Sequence, residues 1–215
     1  MRRRKLKDGI ERLMAHRQWL VEEPEKHQGK WNKITGGKKI HLEIGMGKGQ
    51  FITTLARNNP DIFYVGLEIK EEVLLRGVEK ALVENLKNLR FLWKNAEYLD
   101  QFFGEKEVER IYLNFSDPWP KNRTAKRRLS HGKFLEKYGK ILVNHGEIHM
   151  KTDNEKLFEF SLNAFSEAGY RLKNITFDYH NSNQLIPATT EYEDKFSASG
   201  LRIYRLEAVK SKDLS

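Results

Sequence analysis

The sequence predicts an α/β fold: a mostly parallel seven-stranded sheet with helices on both faces and an antiparallel hairpin at one edge. From residue 39 onwards, short apolar segments alternate with amphipathic helical patterns, which is typical of strand–helix–strand units. Most of these apolar segments end in glycine or in a polar side chain. The last two segments have no clear helical pattern between them, so we expect them to pair with each other as the edge hairpin.

Seven strands are predicted from runs of apolar, β-branched and aromatic residues bounded by turn signals. In chain order they span residues 40–44, 62–69, 89–93, 108–115, 147–152, 170–179 and 201–209. The fourth strand stops before Pro118 and Pro120, because a proline has no N–H group to offer a strand ladder. The connection 180–200 is predicted to be long and without a helix.

Five helices are predicted between the strands, at residues 49–59, 70–86, 97–103, 132–143 and 154–168. The first ends before Pro60, since a proline cannot continue a helix. The second is amphipathic, with Val73, Leu74 and Val78 on one side.

The chain divides at about residue 38. Residues 1–38 are basic and polar, and they are predicted to form an N-terminal arm that contains a short helix. This arm either orders on a partner or is a frayed terminus. Residues 39–215 are predicted to form a single domain, because their strands and helices follow one continuous pattern.

The composition limits the kinds of protein that this chain can be. With 215 residues, 39% of them hydrophobic, it is long enough to bury a substantial core. It has no cysteine, which excludes disulfides and thiolate metal sites, and its histidines have no spacing typical of a metal site. We find no signal peptide and no run of about 18 apolar residues, so we expect a cytoplasmic protein that does not enter a membrane.

A glycine-rich turn follows the first predicted strand, where ligands of parallel α/β sheets bind. It begins at Glu43 and contains Gly45, Gly47 and Gly49. Its spacing differs from the G-x-G-x-x-G dinucleotide fingerprint, and it lacks the Ser or Thr of a phosphate-binding P-loop. On its own, the turn is either a ligand-binding loop or a plain tight turn.

Glu68 favours the ligand-binding interpretation. It ends the second strand, 19 residues after Gly49, where a carboxylate can accept hydrogen bonds from both ribose hydroxyls of an adenosine. Asn95 and Ala96 follow the third strand and are candidates to hydrogen-bond the adenine edge. Together with the glycine-rich turn, these residues predict an adenosine site.

The segment 111–129 combines a strand end with positive charge. Asp117 ends the apolar run and is followed by two prolines around Trp119. After them comes a cationic run without an acidic residue: Lys121, Arg123, Lys126, Arg127 and Arg128. A carboxylate and an aromatic ring beside such a run indicate chemistry next to a polyanion, in agreement with the net charge of +9. Asp117 could instead cap a turn, and Trp119 could either stack on a base or pack against the loop.

Four motifs resemble those of known methyltransferases. The glycine-rich turn with Glu68 resembles the S-adenosylmethionine site of class I methyltransferases. Residues 114–121, Asn-Phe-Ser-Asp-Pro-Trp-Pro-Lys, with the basic residues that follow, resemble the signature of the bacterial tRNA (guanine-N7)-methyltransferases. Residues 151–153, Lys-Thr-Asp, and 190–193, Thr-Glu-Tyr-Glu, resemble two further motifs of that family. The matches occur in order over most of the chain.

The resemblance implies a fold, a reaction and a set of partners. The fold would be the Rossmann-like fold of class I methyltransferases. The reaction would transfer a methyl group from S-adenosylmethionine to N7 of a guanosine in the tRNA variable loop, leaving S-adenosylhomocysteine and 7-methylguanosine. The partner would be tRNA, no metal would be needed, and a homodimer would be slightly favoured over a monomer.

The resemblance also implies three groups of site residues. The cofactor pocket would be lined by Glu43, Gly45, Gly47, Gly49, Glu68, Asn95, Ala96 and Asp117. The substrate guanosine would be contacted by Lys121, Asp153, Thr190, Glu191, Tyr192 and Glu193. The rest of the RNA would be contacted by Arg123, Lys126, Arg127 and Arg128.

The chemistry of guanine N7 defines what such a site has to do. N7 carries an exposed lone pair, so no proton has to leave before methyl transfer and no strong base is needed. Catalysis then depends on placing N7 in line behind the sulfonium methyl. A carboxylate, Asp117 by preference, would hold the guanine N–H edge and stabilise the positive charge that moves onto the purine. Asp153 or Glu193 could share this role.

Two alternatives stay open at the level of the sequence. One is a methyltransferase of the same fold that acts on another RNA base or on a small amine, because residues 114–119 also resemble the Asn/Asp-Pro-Pro-aromatic loop of amino-group methylases. The other is a non-catalytic RNA-binding protein that keeps the fold. The intact glycine-rich turn and Glu68 argue against this second alternative.

Overall fold

The computed structural model describes residues 9–183, 187–197 and 200–211. Its seven strands form one sheet in the order β3-β2-β1-β4-β5-β7-β6. The strands are β1 Lys39–Ile44, β2 Ile62–Glu68, β3 Leu89–Trp93, β4 Val108–Asn114, β5 Leu142–Thr152, β6 Arg171–Thr176 and β7 Tyr204–Val209. Strands β1 to β5 pair in parallel, and β7 lies antiparallel between β5 and β6. The predicted fold class, including the antiparallel edge hairpin, is confirmed.

The helices of the described residues alternate with the strands. They are α1 Gly9–Ala15, α2 Asn32–Thr35, α3 Gln50–Asn58, α4 Glu71–Val83, α5 Leu99–Phe102, α6 Gly132–Ile141, α7 Glu155–Glu167 and α8 Glu191–Ser197. Short 3₁₀ turns span Arg17–Trp19, Pro24–His27, Ala96–Tyr98, Asn122–Arg127 and Tyr179–Asn181. Side-chain caps start α6 and α7: His131 Nδ1 accepts from the Lys133 N–H, and Asn154 Oδ1 accepts from the Leu157 N–H.

The core has one apolar layer on each face of the sheet. On one face, α3 and α4 bury Phe51, Leu55, Leu74 and Val78 against Tyr64, Phe91 and Tyr112. On the other, α6 and α7 bury Phe134, Tyr138, Phe158 and Phe165 against Leu42, Val65, Ile111 and Leu113. Successive strand residues point to opposite faces, so a strand covered on both faces is apolar along most of its length.

The N-terminal segment contacts both apolar layers. Leu13 of α1 is fully buried in the layer of α3 and α4, and Leu20 forms a parallel bridge with Phe91 of β3. Trp31 is fully buried in the opposite layer, where its ring stacks on Phe103 and its Nε1 donates to the Phe102 carbonyl at 2.8 Å. Residues 9–38 therefore pack against the sheet, whereas the first eight residues of the predicted arm lie outside the described residues.

The connection 180–200 differs from its prediction, because it contains α8. The sequence of this helix, Glu-Tyr-Glu-Asp-Lys-Phe-Ser, has a single apolar pair at helical spacing, Tyr192 and Phe196, which is too little to indicate a helix. Its most buried residue is Glu193, which is fully buried, whereas Tyr192 is 41% exposed. A pattern based on hydrophobic residues cannot detect a helix that buries a charged side chain. Several predicted elements also change length. Strand β5 begins at Leu142, five residues before its predicted start, β6 ends at Thr176, β7 begins at Tyr204, and α4 ends at Val83.

Candidate active site

A cleft of about 520 Å³ opens at the carboxyl edge of the sheet. It lies where the chain order reverses, because β2 and β4 flank β1 on opposite sides. Its lining comes from the ends of β1 to β4 and from the loop after β4, and it includes Gly45, Glu68, Asn95, Ala96, Asp117, Trp119 and Arg127. Five of the eight residues predicted for the cofactor pocket line this cleft, and Glu43, Gly47 and Gly49 lie outside its lining.

The glycine-rich turn adopts a backbone that other residues rarely allow. Gly45, Gly47 and Gly49 have φ values of 74°, 59° and 79°. A Cβ at Gly49 would lie 2.9 Å from the Cα of Gly77 in α4, so a side chain there would push α3 and α4 apart. Gly49 therefore has a packing role that brings the start of α3 close to α4, whereas a Cβ at Gly47 would meet nothing within 4 Å.

Glu68 connects the glycine-rich turn to the end of β2. Its Oε1 accepts from the N–H groups of Ile69 and Lys70 at 2.9 and 3.0 Å. Its Oε2 accepts from the Gly47 N–H at 3.2 Å. A carboxylate offers about four lone-pair positions, so these three bonds leave this cleft-lining residue with remaining acceptor capacity.

Asn95 lies at the start of the short 3₁₀ turn after β3. Its Oδ1 accepts from the Glu97 N–H at 2.9 Å and so caps that turn. This bond leaves the Asn95 side-chain NH₂ group and the Ala96 N–H as the donors at this end of the cleft. The sequence signal for both residues was their place directly after a strand.

Glu43 is buried beneath the cleft, with 1% of its surface exposed. Asn114 donates to its Oε1 at 2.9 Å, and its Oε2 has no hydrogen-bond partner. Burial raises the pKa of Glu43 to about 8 because the charged form loses its hydration, an effect that the hydrogen bond from Asn114 only partly offsets. A cation placed beside this unpaired oxygen would favour the ionised form and lower the pKa of Glu43 again.

The loop after β4 presents Asp117 to the cleft. Phe115 and Trp119 have φ values of 49° and 42°, which are disfavoured for bulky aromatic residues. The Asp117 side chain is exposed and has no hydrogen-bond partner in the described part of the chain. A turn cap would show such a bond, so the geometry favours a ligand contact for Asp117 over a cap.

The motif 190–193 lies at the start of α8 and approaches Asp153, which follows β5. Tyr192 donates its hydroxyl to Asp153 Oδ2 at 2.9 Å, and its ring lies 5.0 Å from that of Phe115. Burial and this carboxylate raise the pKa of Tyr192 to about 12. Thr190 Oγ1 accepts from the Glu193 N–H and so caps the helix. Two contacts thus join members of the predicted substrate group, Tyr192 with Asp153 and Thr190 with Glu193.

Glu191 and Glu193 are engaged in ion pairs away from the cleft. Glu193 Oε2 pairs with Lys151 Nζ at 2.5 Å, and both side chains are at most 3% exposed. Glu191 pairs with Lys80 of α4. These two contacts attach α8 to β5 and α4. No role of its own was predicted for Lys151 from the sequence; the only signal was its place at the start of the motif 151–153.

The cationic run after the loop is not uniform. Lys121, Arg123 and Lys126 are exposed. Arg127 is also exposed, and its Cζ lies 4.8 Å from the ring centroid of Trp119. Arg128 is partly buried and donates to the carbonyl groups of Pro118 and Trp119. The run thus contains free cations and cations that contact the loop.

A group with metal-like spacing lies elsewhere on the sheet. The ligand atoms of Glu147, His149 and Glu207 lie within 4.8 Å of one another. Three cations neutralise the two carboxylates: Arg110 and Lys173 pair with Glu147, and Arg205 pairs with Glu207. These positive charges would repel a metal ion, so the group is an ion-pair network across the strands.

The fold is the Rossmann-like fold of class I methyltransferases. The 16S rRNA methyltransferase KamB aligns with a TM-score of 0.65 at 16% identity, over 85% of this chain and 93% of that chain. An antibiotic-related methyltransferase aligns with a TM-score of 0.62 at 19% identity, over 84% of this chain and 92% of that chain. At these identities the likeness concerns the fold alone.

The sequence comparisons identify the family within this class. A family model described as "Putative methyltransferase" matches residues 37–206. The tRNA (guanine-N(7)-)-methyltransferase of Clostridioides difficile is 53% identical over 98% of this chain and 99% of its own length. The tRNA (guanine-N(7)-)-methyltransferase of Streptococcus gordonii is 46% identical over 97% of this chain and 99% of its own length. The chain belongs to the family of bacterial tRNA (guanine-N7)-methyltransferases, which confirms the resemblance noted in the sequence.

Among the described residues, no helix is both long and apolar enough to cross a bilayer.

Proposed function

We propose that the chain methylates N7 of a guanosine in the variable loop of tRNA and that Asp117 positions this base. The proposal is supported most directly by the place of Asp117. Its exposed carboxylate lines the same cleft as Glu68 and Asn95, and the cationic run follows it within a few residues. A cofactor and an RNA base can therefore meet at Asp117.

The cleft residues fit S-adenosylmethionine, the cofactor of the family. The free, buried Oε2 of Glu43 suits the ammonium group of this cofactor. Glu68 would hold the ribose hydroxyls, and Asn95 with Ala96 would hold the adenine edge. When bound, S-adenosylmethionine supplies a methyl group on a cationic sulfur. A cleft of about 520 Å³ lies within the usual size of cofactor sites.

The residues of the chain would act on the guanine by holding it in place. Because N7 needs no deprotonation, the rate gain comes from fixing its distance and angle to the reacting carbon. Asp117 would accept hydrogen bonds from the N–H edge of the base. Its negative charge would also stabilise the cation that forms on the purine as the methyl group is transferred.

Substrate contacts would come from the loop after β4 and from α8. Lys121, Asp153, Thr190 and Tyr192 would surround the guanosine. Glu191 and Glu193 would act through the position of α8, because their carboxylates pair with Lys80 and Lys151. Arg123 and Lys126, which are exposed, would contact the tRNA phosphates. A tRNA substrate implies a cytoplasmic enzyme.

Methylation of unmodified tRNA with labelled S-adenosylmethionine tests the function. We expect label in 7-methylguanosine, which nuclease digestion would map to the variable loop. Label in another nucleoside would favour an enzyme of the same fold with a different target. Binding of tRNA without any binding of S-adenosylmethionine would favour a non-catalytic RNA-binding protein. Sedimentation of the enzyme with and without tRNA would decide between a monomer and a homodimer.

A further inference from the structure

We propose that Arg128 is a positioning residue for methyl transfer, which holds the loop 117–120 instead of contacting tRNA. The cationic run would then divide into two functional parts. Arg123 and Lys126 would face the RNA, and Arg128 would fix the loop that carries Asp117. This proposal rests on the proposed function for its kinetic readout, and its structural readout is independent of tRNA.

The Arg128 guanidinium reaches two neighbouring peptide groups of the loop. Its Nε donates to the Pro118 carbonyl at 3.0 Å, and its Nη2 donates to the Trp119 carbonyl at 3.1 Å. The planar guanidinium presents these two donors in a fixed geometry, which a lysine ammonium cannot reproduce. With both donors engaged by the loop, two of the groups that would bind a phosphate are already occupied.

The ring of Phe160 in α7 packs against the Arg128 guanidinium. The Cζ of Arg128 lies 4.4 Å from the centroid of the Phe160 ring, a distance typical of a cation–π contact. The Arg128 side chain is partly buried as a result. Its position is therefore set by α7 and by the loop, before any RNA is present.

The loop needs such a contact because its own backbone has few donors. Pro118 and Pro120 carry no N–H group, so carbonyl groups are the main means of fixing this stretch. Trp119 between them has a φ of 42°, which is disfavoured for a bulky side chain and has to be stabilised by its surroundings. Arg128 holds the carbonyl of this residue, and Arg127 lies over its ring.

The geometry of the loop determines the position of two groups in the cleft. Asp117 and Trp119 both line it. A loop that loses the Arg128 contact would let the Asp117 carboxylate move relative to the cofactor. Since a displacement of about 1 Å can cost roughly 100-fold in rate, a loop contact outside the cleft can affect turnover.

Arg123 and Lys126 provide the contrast within the same run. Both side chains are exposed, and neither forms an ion pair with a residue of the described ranges. They are free to neutralise phosphates. Replacing such a residue lowers the slope of log affinity against log salt by about one, because fewer counterions are released on binding.

The experiment compares Arg128→Lys with Lys126→Gln, since the first keeps the charge and loses the paired donors. For Arg128→Lys we expect kcat to fall at least about 10-fold, S-adenosylhomocysteine to bind several-fold more weakly, and the salt slope of tRNA binding to stay unchanged. For Lys126→Gln we expect a higher KM for tRNA and a salt slope lower by about one. The cofactor affinity is measured by calorimetry without tRNA, so it tests the loop contact even if the substrate is another RNA.

Phe160→Leu provides an independent variant, because it removes the supporting ring and leaves every charge of the run in place. We expect it to lower kcat and cofactor affinity in the same direction as Arg128→Lys. Circular dichroism would verify the fold of each variant. If Arg128→Lys is unfolded, the kcat and cofactor affinity of Phe160→Leu test the positioning role of Arg128. Wild-type kcat and cofactor affinity in the folded variants would overturn the proposal. A salt slope lower by about one in Arg128→Gln, which removes the charge, would then assign Arg128 to the RNA.

Discussion

Two carboxyl groups of the site, those of Glu43 and Asp117, lie in opposite surroundings. Glu43 is buried and its pKa is raised to about 8, whereas Asp117 is exposed and lines the cleft. Burial of an acid with an unpaired oxygen costs folding free energy, and exposure of an acid costs almost none. The two residues should therefore respond to substitution in different ways.

Replacing Glu43 by Gln should change how stability depends on pH. Unfolded Glu43 ionises near 4.5 and folded Glu43 near 8, so folding takes up a proton between these values and wild-type stability falls as pH rises through this window. The glutamine side chain of the variant does not titrate. We therefore expect the free energy of unfolding of the variant, relative to that of the wild type, to rise by on the order of 4 kcal/mol between pH 5 and pH 8.

Urea unfolding of both proteins at several pH values would measure this gain. Glu159→Gln, at an exposed carboxylate of α7, serves as the control and should run parallel to the wild type. A constant difference between Glu43→Gln and the wild type over the whole window would mean that Glu43 does not titrate there.

Replacing Asp117 by Asn should separate activity from stability. The carboxylate has no hydrogen-bond partner among the described residues, so its loss removes no contact that holds the fold. We expect kcat to fall by about 100-fold or more, because negative charge at the base is lost. The melting temperature should change by less than about 2 °C.

Tritium transfer to tRNA and calorimetric melting would give the two quantities. Asp61→Asn, an exposed carboxylate just before β2 at the opposite edge of the sheet, should leave both unchanged. An equal loss of turnover and stability in Asp117→Asn would instead make Asp117 a structural residue of the loop.

At the scale of elements, α8 is held by ion pairs where apolar packing would be usual. Glu193 pairs with Lys151 deep in the protein, and the Lys151 Nζ also lies 5.0 Å from the ring centroid of Phe51 and 5.3 Å from that of Tyr179. Burial lowers the pKa of Lys151, and the Glu193 carboxylate opposes this effect. Each charge of the pair therefore depends on the other.

Breaking this pair should be costly. Lys151→Met leaves the buried Glu193 carboxylate without its lysine partner and with His180 Nε2 at 3.5 Å. We expect a loss of about 3–5 kcal/mol in the free energy of unfolding. The double variant Lys151→Met, Glu193→Leu should regain much of that loss, because it removes both charges. Urea denaturation of the two single variants, the double variant and the wild type gives the coupling energy.

The Lys80–Glu191 pair offers a matched control on the same helix. Its side chains are 36% and 29% exposed, so Lys80→Met should cost at most about 1 kcal/mol. Equal costs for Lys80→Met and Lys151→Met would show that burial does not govern the strength of these contacts.

At the scale of the whole molecule, a network of charges crosses the strands β4, β5, β7 and β6. Hydrogen bonds from His149 and Lys173, together with the charge of Arg110, hold the pKa of Glu147 well below its ordinary value of 4.5. A depressed pKa stabilises the fold above pH 4.5, and this contribution is lost as pH falls towards the folded pKa. The network thus makes this half of the sheet sensitive to acid.

Replacing Glu147 by Gln should reduce stability at pH 7 and make stability fall less steeply as the pH is lowered. We expect a cost of about 1–2 kcal/mol at pH 7, since the group is partly solvated. The difference from the wild type should shrink as pH falls below 4.5. Thermal unfolding between pH 3 and pH 7 would measure it, and a difference that grows in acid would contradict the assignment.

The fold could be predicted from the sequence because its strands and helices follow hydrophobic periodicity. The cleft could be located because polar residues at strand ends meet at one edge of a parallel sheet. The roles of Arg128, Lys151 and α8 could not be predicted. Each depends on a contact between distant parts of the chain, such as Lys151 with Glu193, and charged residues are exposed in most proteins.

The bridge between Leu20 and Phe91 has a consequence for self-association. Strand β3 is the outermost strand at its side of the sheet, and an open strand edge can pair with the edge of another molecule. The Val21 N–H donates to the Phe91 carbonyl at 3.0 Å, next to the bridge, and so occupies part of that edge. The N-terminal segment therefore covers part of the β3 edge, which would otherwise favour aggregation. This role is separate from catalysis.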